Sequence, residues 1–244
     1  MLRITMKPNS PFYLNVVKIL CKSPLFSGLE KKTIQNMLLY FHRETWMKNS
    51  PAMNSRQTLE RFYILISGRM KVSQIHPDTG RELTVFLLGP GDAFDVISFL
   101  DHKEHHVVTT AIDDLEVISA PLKKAHDWIE THPEFNENFL PYLGKQIRDL
   151  EELASDLTLH DTLTRLTKLI VRHVDHDHSQ EGLKLINDLP HEELAHMIGS
   201  VRVVVNRHVQ TLKKEGILET SRKHLRIKGL HLLLNKIENQ FLMK

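Results

Sequence analysis

Hydrophobic and polar positions follow two different periods along the chain, and the changes of period divide it into regions. Near the start, apolar residues recur at helical spacing over residues 12–23 and 28–39, which predicts two short helices. From Phe62 the segment FYILISGRMKVSQI is rich in β-branched and aromatic residues and contains the turn signal Ser67-Gly68. We therefore predict a β-hairpin over this segment.

Turn signals recur at short intervals as far as Pro121. They lie at residues 76–80, 89–92 and 113–114, and short apolar segments separate them, including ELTVFLLGPGDAF and HVVTTAIDDLEVISAP. Many short strands at this spacing are typical of a β-sandwich or barrel. The β-rich region therefore extends from roughly residue 40 to residue 121.

Beyond Pro133 the pattern is helical. Apolar residues there alternate steps of three and four, while charged residues take other positions. This is the a/d seam of a coiled coil, and it favours a homodimer that forms through this helix. The alternative is that the stripe packs against the β-rich region of its own chain. The predicted seam comprises Leu140, Leu143, Ile147, Leu150, Ala154 and Leu157.

The segment LPHEELAHMIGSVRVVVNRHVQTLKKEGILETSRKHLRIKG, which begins at Leu189, contains the most informative pattern. It follows a further predicted helix over residues 161–174. It predicts a short helix, a turn at Gly199, a second helix capped by Ser200, and two strands around a basic turn. This order is a winged helix-turn-helix, whose second helix enters the major groove of DNA.

The second of these helices carries the residue types that read DNA. Arginine pairs with both acceptors of guanine, asparagine pairs with adenine, and lysine neutralises phosphates. The alternative is an ordinary solvated helix surface. Because helix, turn, basic helix and wing occur in register, we favour DNA binding. The DNA-binding residues predicted from this pattern are Ser200, Arg202, Asn206, Arg207, Lys213, Arg222 and Lys223.

Composition bears on the number of domains, the kind of DNA-binding surface and the cellular compartment. The chain has 244 residues, 41% of them hydrophobic, which is enough for two cores. Its net charge is only +2, so DNA affinity must come from a local basic surface. Cys21 is the one cysteine and excludes both an internal disulfide and an iron–sulfur cluster, which fits the reducing cytoplasm. Without a signal-peptide pattern or a membrane-length apolar segment, we expect a cytoplasmic protein with no membrane partner.

In combination, the YILISGRMKV segment, the GPGDAF turn, the long helix and GSVRVVVNRHVQTLKKEGIL resemble the Crp/Fnr family of regulators over nearly the whole chain. The resemblance implies an α+β protein with a β jelly-roll effector domain and N-terminal helices over residues 1–132. A dimerisation helix over 133–160 and a winged helix-turn-helix over 161–244 would follow. It also implies a homodimer on a palindromic site in double-stranded DNA, with RNA polymerase as a candidate partner.

The chain departs from the family's pattern in the recognition helix. The family's base-reading positions fall on Arg202, Val203 and Arg207, and Val203 takes the place of a glutamate. Valine cannot accept a hydrogen bond from cytosine, but it can pack on a thymine methyl group. Val203 therefore joins the predicted DNA-binding residues, and we expect an unusual half-site.

The effector pocket departs further. Family members that bind cyclic nucleotides carry a Gly-Glu pair for the ribose and an arginine-containing pair for the cyclic phosphate. Asp95-Val96 and His105-His106 fall at those positions here. Because the phosphate would lack its bidentate partner, we do not expect cyclic AMP as the effector. The predicted pocket residues are Phe94, Val96, His105 and His106.

The chain contains 16 histidines, and imidazole is a common ligand of metals and haem. Near the pocket, His102, His105 and His106 allow a haem, a metal ion or another small molecule, although unliganded loop histidines are the favoured interpretation. A second group after a predicted helix, His173, His176 and His178, lies in a hydrophilic stretch and is interpreted as solvated. We predict no metal site and leave the effector unknown.

Together these patterns predict a DNA-binding transcription regulator controlled by an unidentified effector. The alternative is an effector-binding signalling or protein-interaction module with a non-functional helix-turn-helix. We do not expect an enzyme or any catalytic residue, because the sequence contains no nucleophile elbow, phosphate loop or zincin motif.

Overall fold

The computed structural model describes residues 3–175, 182–221 and 224–242. Contacts divide the chain into two compact units. The first unit comprises Met1–Gln74 and Phe86–Asp149, and the second comprises Ile75–Val85 and Leu150–Lys244. The tip of one β-hairpin therefore belongs to the C-terminal unit. Among the described residues, no helix is both long and apolar enough to cross a bilayer.

The first unit begins with a short strand, β1 (Ile4–Thr5), and two helices, α1 (Pro11–Leu20) and α2 (Lys31–Leu38). Both helices lie in the predicted segments. Ser10 caps α1 by accepting a hydrogen bond from a backbone N–H of the first turn. The apolar faces of both helices form part of the main hydrophobic core, so these helices are integral to the first unit.

Two antiparallel sheets form the body of this unit. One has five strands in the order β1-β2-β8-β3-β6, and the other has three in the order β5-β4-β7. The residues that face between them form a second core cluster, rich in aromatic and branched side chains. The strands after β1 are β2 (His42–Trp46), β3 (Arg61–Ser67), β4 (Met70–Ile75), β5 (Glu82–Leu88), β6 (Ala93–Phe94), β7 (Val108–Ala111) and β8 (Leu115–Pro121).

The predicted hairpin across Ser67-Gly68 is wrong. β3 pairs with β6 and β8, whereas β4 lies between β5 and β7, so the turn carries the chain from one sheet to the other. Gly68 permits this crossing: its φ is +80°, and a Cβ there would lie 2.5 Å from the carbonyl oxygen of Asp114. Composition identified the strands, but pairing depends on contacts with distant segments.

Two short helices interrupt the β-rich region and a third follows it directly, and none of them was predicted. They are α3 (Ser55–Glu60), α4 (Val96–Asp101) and α5 (Leu122–Thr131). The sequence of α4, VISFLD, is as rich in β-branched and aromatic residues as a strand, so its composition hid the helix. The ring centroid of Phe99 on α4 lies 5.3 Å from that of Phe62, which fixes α4 against the sheet.

The long helix α6 (Pro133–Leu159) occupies the predicted range. Phe135, Phe139 and Tyr142 on its first half are buried in the main core. The Tyr142 hydroxyl accepts a hydrogen bond from the backbone N–H of Ala93 over 3.1 Å, and burial raises the tyrosine's pKa. The first half of α6 therefore packs against the β-rich unit along one face.

The second unit contains the predicted winged helix-turn-helix. Asp161 caps α7 by accepting a hydrogen bond from the Thr164 N–H over 2.8 Å. Its backbone interactions lower the pKa of the Asp161 carboxyl. A last helix, absent from our prediction, follows the wing and packs on α7. The elements are α7 (Thr162–Arg172), α8 (His191–Met197), α9 (Arg202–Lys214), β9 (Leu218–Ser221), β10 (His224–Ile227) and α10 (Leu230–Leu242). The α+β fold class is confirmed.

Candidate nucleic-acid interface and effector pocket

The helix-turn-helix is built around a tight turn between α8 and α9. Gly199 lies in this turn with a φ of +61°, and the N–H of Ser200 donates to the Ala195 carbonyl oxygen over 2.9 Å. Apolar residues of α8 pack with those of α9 beneath the turn. The buried members are Leu194, Ala195, Met197, Ile198, Val205, Val209 and Leu212.

Two guanidinium groups bind the carbonyl oxygens at the end of α8. Arg165 donates from Nη1 to the Ile198 oxygen over 2.8 Å. Arg81, at the hairpin tip that belongs to this unit, donates from Nη2 to the Gly199 oxygen over 2.5 Å. Cations are favourable at a helix C-terminus because the helix dipole is negative there. These contacts hold the turn that sets the start of α9.

Gly199→Ala should destabilise this unit more than a glycine substitution at an uncrowded turn. A Cβ on Gly199 would lie 2.6 Å from Cδ2 of Leu157, whereas one on Gly216 would have no neighbour within 4 Å. Both glycines have positive φ, so each variant incurs a backbone cost of about 1–2 kcal/mol. Because Cδ2 is the end of a half-buried leucine side chain that can move, the overlap should add only about 1 kcal/mol to the cost of Gly199→Ala. Urea unfolding measures the difference; equal losses would contradict a crowded turn.

The exposed face of α9 combines cationic, amide and apolar groups. Arg202, Asn206 and Arg207 are exposed, and the side chain of Val203 is 78% exposed. The helix contains no acidic residue, and Lys213 is half-buried at its last turn. The structure therefore brings these predicted residues together on one helix.

Ser200 has a different role from the predicted one. Ser200 is not the cap of α9: the helix begins at Arg202, Val201 is the N-cap residue, and no side chain caps it. Ser200 is instead committed to the turn through its backbone bond to Ala195. The basic wing turn, with Arg222 and Lys223, lies outside the described residues, although β9 and β10 on either side of it pair as predicted.

Two histidine side chains connect α9 with neighbouring helices, and neither contact was predicted. The Nε2 atom of His208 lies 2.8 Å from the hydroxyl oxygen of Thr162, so this histidine faces α7. His191, the first residue of α8, forms a hydrogen bond with the side chain of Asn206. Burial lowers the pKa of both histidines, which favours neutral rings at physiological pH. No local sequence signal links His191 to a residue on the next helix.

A small cavity in the first unit marks the predicted effector pocket. Its free volume is about 20 Å³, which accommodates about one water molecule. Three predicted residues line it, Phe94, Val96 and His105, but His106 is exposed and does not. The remaining lining residues are Val72, Phe86, Leu88, Ala93, Asp95, Ile97 and Gln146.

Asp95 dominates the chemistry of this cavity. Its side chain is 1% exposed, and its Oδ1 lies 3.0 Å from Nδ1 of His105. Burial alone would raise the pKa of Asp95, but hydrogen bonds from His105, Thr58 and Ser98 outweigh it and lower the pKa below the usual value. Its φ of 59° is a strained conformation for a residue other than glycine. The cavity therefore contains a buried carboxylate, which was not among the predicted pocket residues.

The other histidines do not gather into a metal site within the described ranges. No group of three or more His, Cys, Asp or Glu residues there is arranged to hold a metal ion. His102 stacks on His126 with 4.8 Å between ring centroids, and His126 stacks on Phe99 at 4.3 Å. Burial lowers the pKa of His126. His176 and His178 lie outside the described residues.

The predicted seam of α6 is largely uncovered in the single chain. The side chains of Leu140 and Ile147 are 61% and 65% exposed, and Ala154 is also exposed. The other three seam residues, Leu143, Leu150 and Leu157, are half-buried. The aromatic residues of α6 form most of its contact with the β-rich unit, and Leu143 of the seam also packs against that core.

Both units match domain families of known proteins. The profile of a Crp-like helix-turn-helix domain matches residues 164–235, and that of a cyclic nucleotide-binding domain matches residues 44–132. A CRP-like cAMP-activated global transcriptional regulator of Mycobacterium tuberculosis is 26% identical over 212 residues, covering 86% of this chain and 94% of the relative. A global nitrogen regulator of Synechocystis is 26% identical over 190 residues, covering 75% and 83%.

Solved structures show the same fold. A CooA variant from Carboxydothermus hydrogenoformans superposes with a TM-score of 0.69 at 22% identity, covering 84% of this chain and 90% of that one. The c-di-GMP responsive regulator CLP of Xanthomonas campestris superposes with a TM-score of 0.65 at 18% identity, covering 82% and 100%. The match to the Crp-like helix-turn-helix domain and the similarity to curated transcription regulators favour a regulator over an interaction module with a non-functional helix-turn-helix. The chain belongs to the Crp/Fnr family and is a DNA-binding transcription regulator rather than an enzyme.

Proposed function

We propose that two copies of this chain bind a palindromic operator, each reading one half-site with α9, and that an effector in the β-rich unit controls the affinity. The observation that carries this proposal is the exposed face of α9, which presents arginines and an amide without a single carboxylate. Such a face complements base acceptors and phosphates in the major groove. A regulator of this kind acts where the chromosome lies, in the cytoplasm.

The proposed contacts divide into base reading and positioning. Arg202 and Arg207 project from the first two turns of α9 and are assigned to guanine, and Asn206 to adenine. His191 orients the Asn206 amide through its hydrogen bond. The remaining proposed contacts are to phosphates, from the start and end of the helix and from the wing: Ser200, Lys213, Arg222 and Lys223.

The uncovered seam of α6 supports the homodimer. Leucine and isoleucine recur there at coiled-coil spacing, and two of them, Leu140 and Ile147, are more than half exposed in the single chain. A second α6 would cover them and would set the distance between two copies of α9. A palindromic operator is the DNA counterpart of that two-fold symmetry.

Selection of bound sequences from a random duplex pool tests this proposal. We expect a motif made of two inverted half-sites separated by about one helical turn, or 10 base pairs, between centres. A single half-site without an inverted repeat would contradict the dimeric arrangement. If no sequence is enriched, with cell extract added as a source of effector, the proposed operator binding is wrong.

The effector of this chain is proposed to differ from cyclic AMP. Two relatives are named for cAMP and c-di-GMP, so the fold accommodates different ligands. In this chain a buried carboxylate, Asp95, lies in the cavity, and the residues that would bind a cyclic phosphate are replaced. An anionic ligand would be repelled by the carboxylate and would lack a bidentate partner.

Asp95→Asn should improve the binding of cyclic AMP without making it tight. Asparagine can still cap α4, so the variant should fold, and removal of one negative charge should raise the affinity by about 10-fold. Uncharged adenosine is the control ligand, since its affinity should not respond to the charge. Calorimetric titration measures both. Tight cyclic AMP binding by the wild type would contradict the proposal.

A shared strand offers a route from the pocket to the DNA-binding unit. Phe86 and Leu88 of β5 line the cavity, while the start of the same strand and Arg81 before it belong to the second unit. Arg81 binds the Gly199 carbonyl next to α9. We propose that a ligand which displaces β5 alters this bond and shifts the population of DNA-binding conformations.

A further inference from the structure

Two valines at the start of α9 are exposed, although the rest of that helix buries its apolar side chains. Val203 is 78% exposed and Val201, the N-cap residue, is 60% exposed, whereas Val205 and Val209 are at most 1% exposed. Valine is a weaker helix former than alanine or the long polar residues, so helix propensity does not explain it here. The valines add nothing to the described core and leave an apolar group on an otherwise polar face.

The neighbours of Val203 indicate what would cover it. Residues three and four positions along a helix are adjacent on its surface, and for Val203 these are Asn206 and Arg207. No carboxylate occurs anywhere in Arg202–Lys214. The matching partner therefore presents a small apolar group beside hydrogen-bond acceptors, in an anionic setting.

In duplex DNA this combination identifies one base. Thymine is the only standard base with a methyl group on its major-groove edge, next to its O4 acceptor, and the adjacent purines present N7. Apolar side chains recognise thymine by contact with this methyl group. The amino-terminal residues of a recognition helix are the ones that reach base edges, and Val203 is the second residue of α9.

We propose that Val203 selects a thymine in each half-site through its 5-methyl group, with Val201 extending the apolar contact surface. The inference rests on the proposed role of α9 in reading the operator. Val203 is then a specificity-determining residue that contributes no charge and no hydrogen bond.

Deoxyuridine substitution tests this assignment, because it removes only the methyl group of thymine and keeps base pairing. With the selected operator, replacing the critical thymine in both half-sites should weaken wild-type binding by about 10- to 20-fold, as expected for the loss of two buried methyl contacts. Other thymines should show little effect. Affinity for unrelated duplex DNA should not change.

Two variants connect the effect to Val203. Val203→Ser should bind the thymine and deoxyuridine operators almost equally, because a polar hydroxyl replaces the apolar groups that pack on the methyl group. Val203→Glu should shift the preference at that position to cytosine, whose amino group donates to carboxylates. Val201→Ala is the matched control, which should retain most of the discrimination. Circular dichroism checks that every variant is folded.

The possible failures are distinguishable. If the wild type selects an operator but no deoxyuridine substitution weakens binding, the inference is wrong while the proposed function stands. If the methyl effect persists in Val203→Ser, another residue reads the methyl group and the inference is again wrong. If no operator is selected at all, the proposed function itself fails.

Discussion

Replacing both Arg202 and Arg207 by alanine should abolish the preference of the protein for its operator. Each bidentate arginine–guanine pair contributes about 1–3 kcal/mol of discrimination, and a dimer of the double variant lacks four such pairs, so it should lose about 1,000-fold or more in specific affinity. Both arginines are exposed on α9 and no ion pair is found for either within the described residues, so stability should change by only about 0.5 kcal/mol.

Fluorescence anisotropy with the operator and with a scrambled duplex, each at several salt concentrations, measures this loss. Lys213→Ala is the matched control, because Lys213 is a proposed phosphate contact on the last turn of the same helix. Loss of this phosphate contact from both copies should weaken both duplexes alike and reduce the salt slope by about 2. A double arginine variant that still prefers the operator would show that α9 does not read its bases.

The sequence patterns predicted the helices and strands of this fold better than their partners. Burial of one face produces a local period, and that period revealed α1, α2, α6, the helix-turn-helix and the wing. Pairing leaves no such trace. The Gly68 turn was interpreted as a hairpin because β3 and β4 are adjacent in sequence, whereas their real partners are distant strands.

At the two candidate sites, residues that share one helix were predictable, whereas contacts between separate elements were not. Arg202, Val203, Asn206 and Arg207 are close in sequence on one helix, so their common face was predictable. The supporting contacts join separate elements: His191 with Asn206, Arg81 with the Gly199 carbonyl, and Asp95 with His105. Sequence spacing carries no information about such pairs. The resemblance placed Asp95 and His105 at the effector positions, but the burial of the carboxylate and its bond to the histidine were visible only in the structure.

The oligomeric state gives the second large effect, since operator affinity depends on two copies of α9 acting together. Ile147→Asp places a carboxylate in the middle of the predicted seam. In a dimer this carboxylate would lie opposite the same carboxylate of the second copy, in an apolar interface. Burying the two charges should cost more free energy than packing of the remaining seam residues provides. In a single chain Ile147 is 65% exposed, so the monomer should fold normally. We expect a monomer of 28.3 kDa by light scattering.

Operator binding should fall with the dimer. Two linked DNA-binding units bind DNA with an affinity about 10²–10⁴-fold higher than that of one unit. Ile147→Asp should lose this increase in affinity while each α9 remains intact. Arg148→Asp is the matched control, because it introduces the same side chain at an exposed position of α6 outside the seam. It should remain dimeric and bind the operator within a few-fold of the wild type. If Ile147→Asp also remains dimeric and binds normally, the copies associate through another surface, and the spacing of the two half-sites must then be set by something other than α6.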